Sequence, residues 1–140
     1  MRVSAGDPCR VLVVDDDPMI RQLVTALLMD AGKSVHGVEN GAEALECVHR
    51  EDFDLIVLDL DMPVMDGREF CRRMKELGKF APTLILSAYQ AHEAAKELGA
   101  SAALDKPFDI DEFTKTALEL CDISEAPAAA GTVTGTEPSA

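Results

Sequence analysis

Three short, almost entirely apolar runs stand out along the chain, at Val11–Val14, Leu55–Leu58 and Thr83–Leu86. Each run is apolar on both faces, which is typical of parallel strands that are covered by helices on both sides. We therefore predict that these runs form the central strands of a parallel sheet. Two runs that are shorter or more polar, Ser34–Val38 and Ser101–Leu104, are predicted to be strands nearer the edges of the sheet.

Between the predicted strands, apolar residues recur with the spacing of a helix. The first helix is predicted to begin with Asp17 as its N-cap and Pro18 at its first position, and to end before Gly32. The residues predicted to face the core from this helix are Met19, Ile20, Leu23, Val24, Leu27 and Leu28.

Four further helices follow the remaining predicted strands. The second follows Asn40, the third follows Asp66, the fourth covers roughly Gln90–Leu98, and the fifth begins at Asp109. Their predicted inward residues are Ala44, Leu45 and Val48, then Phe70, Met74 and Leu77, and in the fifth helix Ile110, Phe113, Ala117 and Leu120. Five strands that alternate with five helices predict a doubly wound α/β domain.

The chain contains 140 residues, which is enough for one domain. We predict an N-terminal extension at 1–8, the folded domain at 9–123, and a segment at 124–140 without helical or strand periodicity. That last segment has no aromatic residue and no Lys or Arg. It is either a flexible tail or a linker to another domain, and the sequence does not separate these alternatives.

The charge of the chain argues against two classes of partner. Twenty-six acidic residues against 13 Lys and Arg give a net charge of −13, which repels nucleic-acid phosphates and anionic membranes. No apolar run has the length of a signal peptide or a membrane span. The four cysteines are scattered without metal-site spacing, so we predict that they are reduced and that the protein is cytoplasmic.

Polar residues that carry chemistry follow four of the five predicted strands. Asp15 and Asp16 follow the first, Asp59 the third, Ser87 the fourth and Lys106 the fifth. Ligands of open parallel sheets bind beyond the carboxyl ends of the strands. In a flavodoxin-like strand order of 2-1-3-4-5, the first and third strands are neighbours, so Asp15 and Asp16 would lie close to Asp59.

Three carboxylates at one edge of a sheet repel one another unless a cation lies between them. Ligands that are all oxygen, with room for water, favour Mg²⁺ over zinc. The same cation would neutralise a phosphoryl group that arrives at one of the carboxylates. Lys106 would pair with Asp59 and then with a phosphoryl oxygen, and the Ser87 hydroxyl would donate a hydrogen bond to another.

Four motifs occur in the order VLVVDDDP, LIVLDLDMPVMDG, ILSA and DKPFD. Together they make residues 10–122 resemble the receiver domain of bacterial two-component response regulators, and the combination is much more specific than any one motif. The resemblance implies the flavodoxin-like fold and a cis peptide bond before Pro107. It also implies the following roles: Asp59 as phosphoacceptor, Asp16 as a direct Mg²⁺ ligand, Asp15 as a ligand mainly through water, the Asp61 backbone carbonyl as a further ligand, Ser87 as the switch residue and Lys106 as the phosphate-binding lysine.

The resemblance also implies a function as a phosphorylation-dependent signalling switch. A histidine kinase or histidine phosphotransfer protein would supply the phosphoryl group, and the receiver would catalyse only its own phosphorylation and dephosphorylation. A downstream protein or an output domain would be the target, either of a stand-alone receiver or of a larger regulator. Two other functions are less well supported. The complete set of site residues argues against a receiver that has lost phosphorylation. A phosphohydrolase of the haloacid dehalogenase type, suggested by Asp59-Leu60-Asp61, would carry this motif on its first strand, whereas here the acidic pair Asp15 and Asp16 comes first.

Two positions depart from the pattern of the receiver family. Ala103 stands where the family usually has Tyr or Phe, so the usual inward movement of an aromatic ring is not available. We consider the hypothesis that Tyr89, two residues after Ser87, takes over part of that role or shields the phosphoryl group. The Asp61 side chain adds a second carboxylate beside Asp59, and we predict that it changes the rate at which water removes the phosphoryl group.

Overall fold

A computed structural model describes residues 8–125, with only the backbone for residues 123–125, and its strands and helices alternate throughout. The strands form one parallel sheet in the order β2-β1-β3-β4-β5, which confirms the predicted flavodoxin-like topology. The strand bounds are β1 Arg10–Val14, β2 Ser34–Val38, β3 Leu55–Asp59, β4 Thr83–Ser87 and β5 Ala102–Asp105. The two runs predicted to lie towards the edges are the two edge strands.

The helices begin close to the predicted positions. Their bounds are α1 Pro18–Asp30, α2 Gly41–Arg50, α3 Gly67–Glu76, α4 Ala91–Leu98 and α5 Ile110–Glu125. The Asp17 carboxylate accepts the backbone N–H of Met19, and the Asp66 carboxylate accepts that of Glu69, both at 2.9 Å. Asp17 and Asp66 are therefore N-caps, as their positions before α1 and α3 predict.

Apolar residues pack on both faces of the sheet, because alternate residues of each strand point to opposite sides. Leu12 and Val14 of β1 belong to one core cluster, with residues of α2, α3 and α4. Val11 and Val13 belong to the other, with residues of α1 and α5. The sheet is therefore sandwiched between two helical layers.

Three residues that were predicted to face the core lie at helix ends and are exposed instead. The exposed fractions are 78% for Met19 in the first turn of α1, 41% for Leu77 just after α3, and 47% for Ile110 at the first position of α5. At about 100° per residue, Met19 lies on the side of α1 opposite the buried Leu28. Apolar spacing therefore identified the helices correctly but extended their buried stripes too far.

The prediction that all four cysteines are reduced is wrong for one pair. Cys9, just before β1, forms a disulfide with Cys121 of α5, with a Cα–Cα distance of 5.9 Å. The two residues are 112 positions apart, so the fold brings them together by placing the C-terminal part of α5 close to the start of β1. Cys47 and Cys71 are free thiols.

The segments predicted at 1–8 and 124–140 lie almost entirely outside the described residues. Within them, only Pro8 and the last two residues of α5, Ser124 and Glu125, are described. Among residues 8–125, none of the helices has both the length and the apolar character that crossing a bilayer requires.

The cap at the start of α3 gives a test of how much the Asp66 side chain stabilises the fold. We expect Asp66→Ala to lower the free energy of unfolding by about 1 kcal/mol, because the Glu69 N–H loses its acceptor. Asp66→Asn is the matched control, since asparagine caps helices about as well as aspartate. Urea unfolding followed by circular dichroism measures both changes, and equal losses in the two variants would contradict the capping role.

Candidate functional site

The register of the sheet brings the predicted acidic residues together. Val14 of β1 is paired with Leu58 of β3, so the next residues, Asp15 and Asp59, lie side by side at the carboxyl edge of the sheet. One carboxylate oxygen each from Asp15, Asp16 and Asp59 lies within 4.8 Å of the others. We call these three residues the acidic cluster. The predicted proximity of Asp15 and Asp16 to Asp59 is thus found in the structure.

Lys106 is the cation nearest to this cluster. Its Nζ atom lies 3.0 Å from Asp15 Oδ2 and 3.4 Å from Asp59 Oδ1. The predicted contact with Asp59 is present, and Asp15 is a second and closer partner that the sequence did not indicate. The Lys106 N–H donates to the Ser87 carbonyl at 2.8 Å, and the Lys106–Pro107 bond is cis, as the resemblance implies.

Burial and charge shift the pKa values of both partners. Asp59 is 4% exposed, and burial, reinforced by the negative charge of Asp15, raises its pKa to about 6 in spite of Lys106. Burial alone would lower the pKa of Lys106, but its hydrogen bond to Asp15 and the charges of Asp15 and Asp59 raise it overall. Lys106 is therefore firmly protonated at neutral pH, and the ionised form of Asp59 is destabilised.

The cluster has the donor set of a hard-cation site. Its three carboxylates are opposed by one ammonium group, so negative charge is left over at the edge of the sheet. The cluster contains neither His nor Cys, and Asp16 is exposed to solvent. Oxygen ligands with access to water suit Mg²⁺ better than zinc, so these residues fit the predicted ion.

Asp15 is held on several sides. Its carboxylate accepts the Asp17 N–H at 2.9 Å as well as Lys106, and its own N–H donates to the Val38 carbonyl at 3.2 Å. Its carbonyl accepts a hydrogen bond from Arg21 Nη1 at 2.7 Å. Sequence reasoning did not identify Arg21. The available signal was a cation in the first turns of the helix that follows the acidic residues.

Ser87 is buried at the end of β4, beside Lys106. Its Oγ donates to the Tyr89 carbonyl at 3.0 Å and accepts the Tyr89 N–H at 3.2 Å. To reach a phosphoryl group at Asp59, this hydroxyl would have to leave the Tyr89 carbonyl. Ser87 is therefore hydrogen-bonded to the loop between β4 and α4. A change at the acidic cluster that moves the Ser87 hydroxyl would break these bonds and alter the conformation of that loop.

Ala103 and Tyr89, the residue considered as a replacement for the missing aromatic ring, differ in their exposure to solvent. Ala103 of β5 is buried in the core cluster that includes the alanines of α4, whereas Tyr89 is 75% exposed. In this conformation the Tyr89 ring does not fill a buried position beside Ala103. The hypothesis that Tyr89 replaces the missing aromatic therefore stays a prediction.

Asp61 lies in the loop between β3 and α3. Its N–H donates to Asp59 Oδ1 at 3.4 Å, and its side chain is exposed. The loop is fastened close to this point, because the Gly67 N–H donates to the Leu60 carbonyl at 2.9 Å. The geometry thus places Asp61 directly beside Asp59, and its predicted effect on dephosphorylation stays a prediction.

Comparisons with known proteins agree with the motifs. The family model for the response regulator receiver domain matches residues 11–118. Sporulation initiation phosphotransferase F of Bacillus subtilis is 39% identical over 107 residues, which are 74% of this chain and 86% of that protein. The response regulator MprA of Mycobacterium sp. (strain KMS) is 38% identical over 109 residues, which cover 76% of this chain and 47% of MprA.

A solved structure shares the fold. The response regulator TrrA of Thermotoga maritima, in complex with Mg²⁺ and BeF, superposes with a TM-score of 0.71 at 33% identity. The match covers 80% of this chain and 98% of that one. This chain spans about half the length of the MprA proteins that it matches, so those relatives extend well beyond the shared domain.

Proposed function

Because this chain belongs to the family of response regulator receiver domains, we propose that it is a signalling switch in which Asp59 accepts a phosphoryl group. The observation that carries this proposal is the surroundings of Asp59 at the end of β3. Its buried carboxylate lies 3.4 Å from the Lys106 ammonium group and beside two further carboxylates. Such a site joins a nucleophile to the charges that phosphoryl transfer requires.

The proposed metal ligands are the carboxylates of Asp16 and Asp59, that of Asp15 mainly through water, and the Asp61 backbone carbonyl. A bound Mg²⁺ would neutralise charge on the incoming phosphoryl group. It would also oppose the burial that raises the Asp59 pKa, and so keep this carboxylate ionised. The support in this chain is the all-oxygen cluster, and in a relative it is the Mg²⁺ complex of TrrA.

In the proposed reaction, an Asp59 carboxylate oxygen attacks the phosphorus atom of a phosphohistidine. The new bond joins this oxygen to phosphorus, and the bond between phosphorus and the donor imidazole nitrogen breaks with its electron pair left on the nitrogen. The Lys106 ammonium, now held by Asp15 and Asp59, pairs with a phosphoryl oxygen. Ser87 turns from the Tyr89 carbonyl to donate to another oxygen.

We propose that phosphorylation reaches a partner through the hydrogen bond between Ser87 and the loop before α4. When the Ser87 hydroxyl leaves the Tyr89 carbonyl, that loop loses one hydrogen bond and its equilibrium between conformations shifts. We propose that a histidine kinase or histidine phosphotransfer protein is the donor, and that a downstream protein or output domain senses the shift. In this proposal residues 9–123 are the receiver, and 124–140 are a tail or a linker.

Intact mass spectrometry tests the proposal. After incubation with Mg²⁺ and acetyl phosphate, we expect the mass of one phosphoryl group to be added to the wild-type chain and to Asp66→Asn, the matched control from the loop that follows β3. Asp59→Asn and a sample in EDTA should gain none, because the nucleophile or the cation is then missing.

Two other results would point to the alternative functions. No added mass, together with failure to bind beryllofluoride, would favour a receiver that has lost phosphorylation. Rapid turnover of p-nitrophenyl phosphate that requires Asp59 would favour a phosphohydrolase. Either result would overturn the proposed switch.

A further inference from the structure

Arg21 connects helix α1 to the end of strand β1. It is the fourth residue of α1, and its backbone N–H donates to the Asp17 carbonyl at 2.9 Å. Long side chains on helices point back towards the N-terminus of the helix. In this way Arg21 Nη1 reaches the Asp15 carbonyl and donates to it at 2.7 Å. The guanidinium group thus crosses the turn that carries the acidic residues.

The sheet leaves room for this side chain at Gly37. Gly37 lies on edge strand β2, paired with Val13. A Cβ atom at position 37 would lie 3.3 Å from Arg21 Cγ, slightly tighter than ordinary contact, and 3.4 Å from Cδ. The path of the Arg21 side chain therefore depends on the missing side chain at position 37 as well as on the direction of α1.

Asp16 is the member of the acidic cluster with the fewest restraints. Among residues 8–125 its carboxylate takes part in no hydrogen bond or ion pair, whereas those of Asp15 and Asp59 both contact Lys106. The backbone alone therefore sets where its Cβ atom lies, from which the carboxylate extends. The Asp15 carbonyl and the Asp16 N–H belong to one planar peptide unit, so the bond from Arg21 fixes the plane from which Asp16 departs.

We propose that Arg21 is a positioning residue that holds the Asp15–Asp16 peptide so that the Asp16 carboxylate faces a divalent cation in the acidic cluster. This inference rests on the proposed Mg²⁺ site, and it assigns to Arg21 no contact with the ion. Its role resembles that of a residue that orients a metal ligand, whose loss weakens metal binding although every ligand is still present.

The positive charge of Arg21 and its proposed positioning role have opposite effects on Mg²⁺ affinity. A guanidinium group close to a divalent cation repels it, so removal of the charge by itself would strengthen Mg²⁺ binding. Loss of positioning has the opposite effect and weakens binding. The sign of the change in affinity therefore separates the positioning role from a simple electrostatic role.

Calorimetric titration of the full chain with MgCl₂ measures this sign. We expect Arg21→Met to bind Mg²⁺ about tenfold more weakly than wild type, the lower end of the range for residues that orient metal ligands. Arg21→Lys should recover part of the loss, because an ammonium group can still donate to the Asp15 carbonyl. Gln22→Met, a similar change at the neighbouring exposed position, should leave the affinity unchanged.

Two further readouts distinguish positioning from a general loss of structure. In EDTA, hydrogen exchange of the Asp17 amide, which donates to the Asp15 carboxylate, should be faster in Arg21→Met, while amides of the central strands keep their protection. With acetyl phosphate, the phosphorylation rate at saturating Mg²⁺ should return close to that of wild type, so that the variant differs in the Mg²⁺ concentration that it needs.

Unchanged or tighter Mg²⁺ binding by folded Arg21→Met would overturn the positioning role while leaving the proposed switch intact. If Arg21→Met does not fold, Arg21→Gln decides, because its amide group is two bonds shorter than the guanidinium group that reaches the Asp15 carbonyl; weaker binding supports the role, and unchanged or tighter binding overturns it. Failure of the wild type to bind Mg²⁺ would instead remove the proposed function, and the positioning role with it.

Discussion

In EDTA at pH 8, Asp59→Asn is expected to be more stable than the wild-type chain, with a free energy of unfolding higher by about 2 to 3 kcal/mol. Asp59 is 4% exposed. Its burial, and to a smaller extent the negative charge of Asp15, raises its pKa to about 6. The amide group of asparagine has nearly the same shape as a carboxyl group, and it is uncharged at every pH. The substitution therefore removes the cost of a buried charge without opening a cavity.

The pH dependence of this gain follows from the direction of the pKa shift. An unfolded aspartate titrates near a pKa of about 4, so between roughly pH 4 and pH 6 the folded chain binds more protons at Asp59 than the unfolded chain. Wild-type stability attributable to Asp59 therefore falls as the pH rises through this window. The advantage of Asp59→Asn should be absent below about pH 4 and complete somewhat above pH 6.

Urea unfolding at pH 4, 6 and 8 measures this advantage, and Asp66→Asn is the control for an exposed acid in the neighbouring loop. Equal stability of Asp59→Asn and wild type at pH 8 would show that the buried carboxylate has little energetic cost. Addition of Mg²⁺ should narrow the difference, because an ion that binds the folded wild type stabilises it by mass action.

Gly67→Ala is expected to destabilise the fold and to reduce phosphorylation of the molecules that still fold. A Cβ atom at position 67 would lie 2.6 Å from the Asp59 carbonyl oxygen and 2.9 Å from Leu60 Cα. These are backbone atoms, so the strand end must shift to relieve the collision. Overpacking of this kind costs about 1 to 3 kcal/mol, and here the shift acts directly on the proposed phosphoacceptor.

Gly78→Ala is the matched control for this substitution. Gly78 has a φ of +73° and nothing within 4 Å of its added Cβ, so alanine there introduces backbone strain without a collision. It should lower the unfolding free energy by roughly 1 kcal/mol and leave the phosphorylation rate unchanged. Phosphorylation of Gly67→Ala at the wild-type rate, measured by intact mass on folded protein, would contradict the expected shift of Asp59.

The sequence was sufficient for the strands, the sheet order and the acidic cluster because these rest on local patterns. Buried parallel strands are apolar on both faces, and the residues directly after them must meet at one edge. Asp15, Asp59 and Lys106 could therefore be located from their places after β1, β3 and β5, and the structure brings them within contact distance.

Other features depend on tertiary contacts that leave no local pattern. Arg21 bonds a backbone carbonyl, and any residue type supplies that acceptor. The N-terminus of α4 is capped from β5, where Asp105 Oδ1 accepts the Ala91 N–H at 3.3 Å, while the adjacent Gln90 makes no side-chain cap. The pairing of Cys9 with Cys121 can be predicted only if it is known that the C-terminal part of α5 lies close to the start of β1.

The bond between Cys9 and Cys121 turns residues 9–121 into a closed covalent ring. A protease that cuts this ring once, for example in the loop that carries Phe80, which is 82% exposed, releases no fragment. The disulfide, which lies at the amino edge of the sheet like the cut, tethers the two pieces, so each remains at a high effective concentration relative to the other. While the bond is oxidised, the nicked chain is therefore still a single molecule, and reduction turns it into a two-fragment complex.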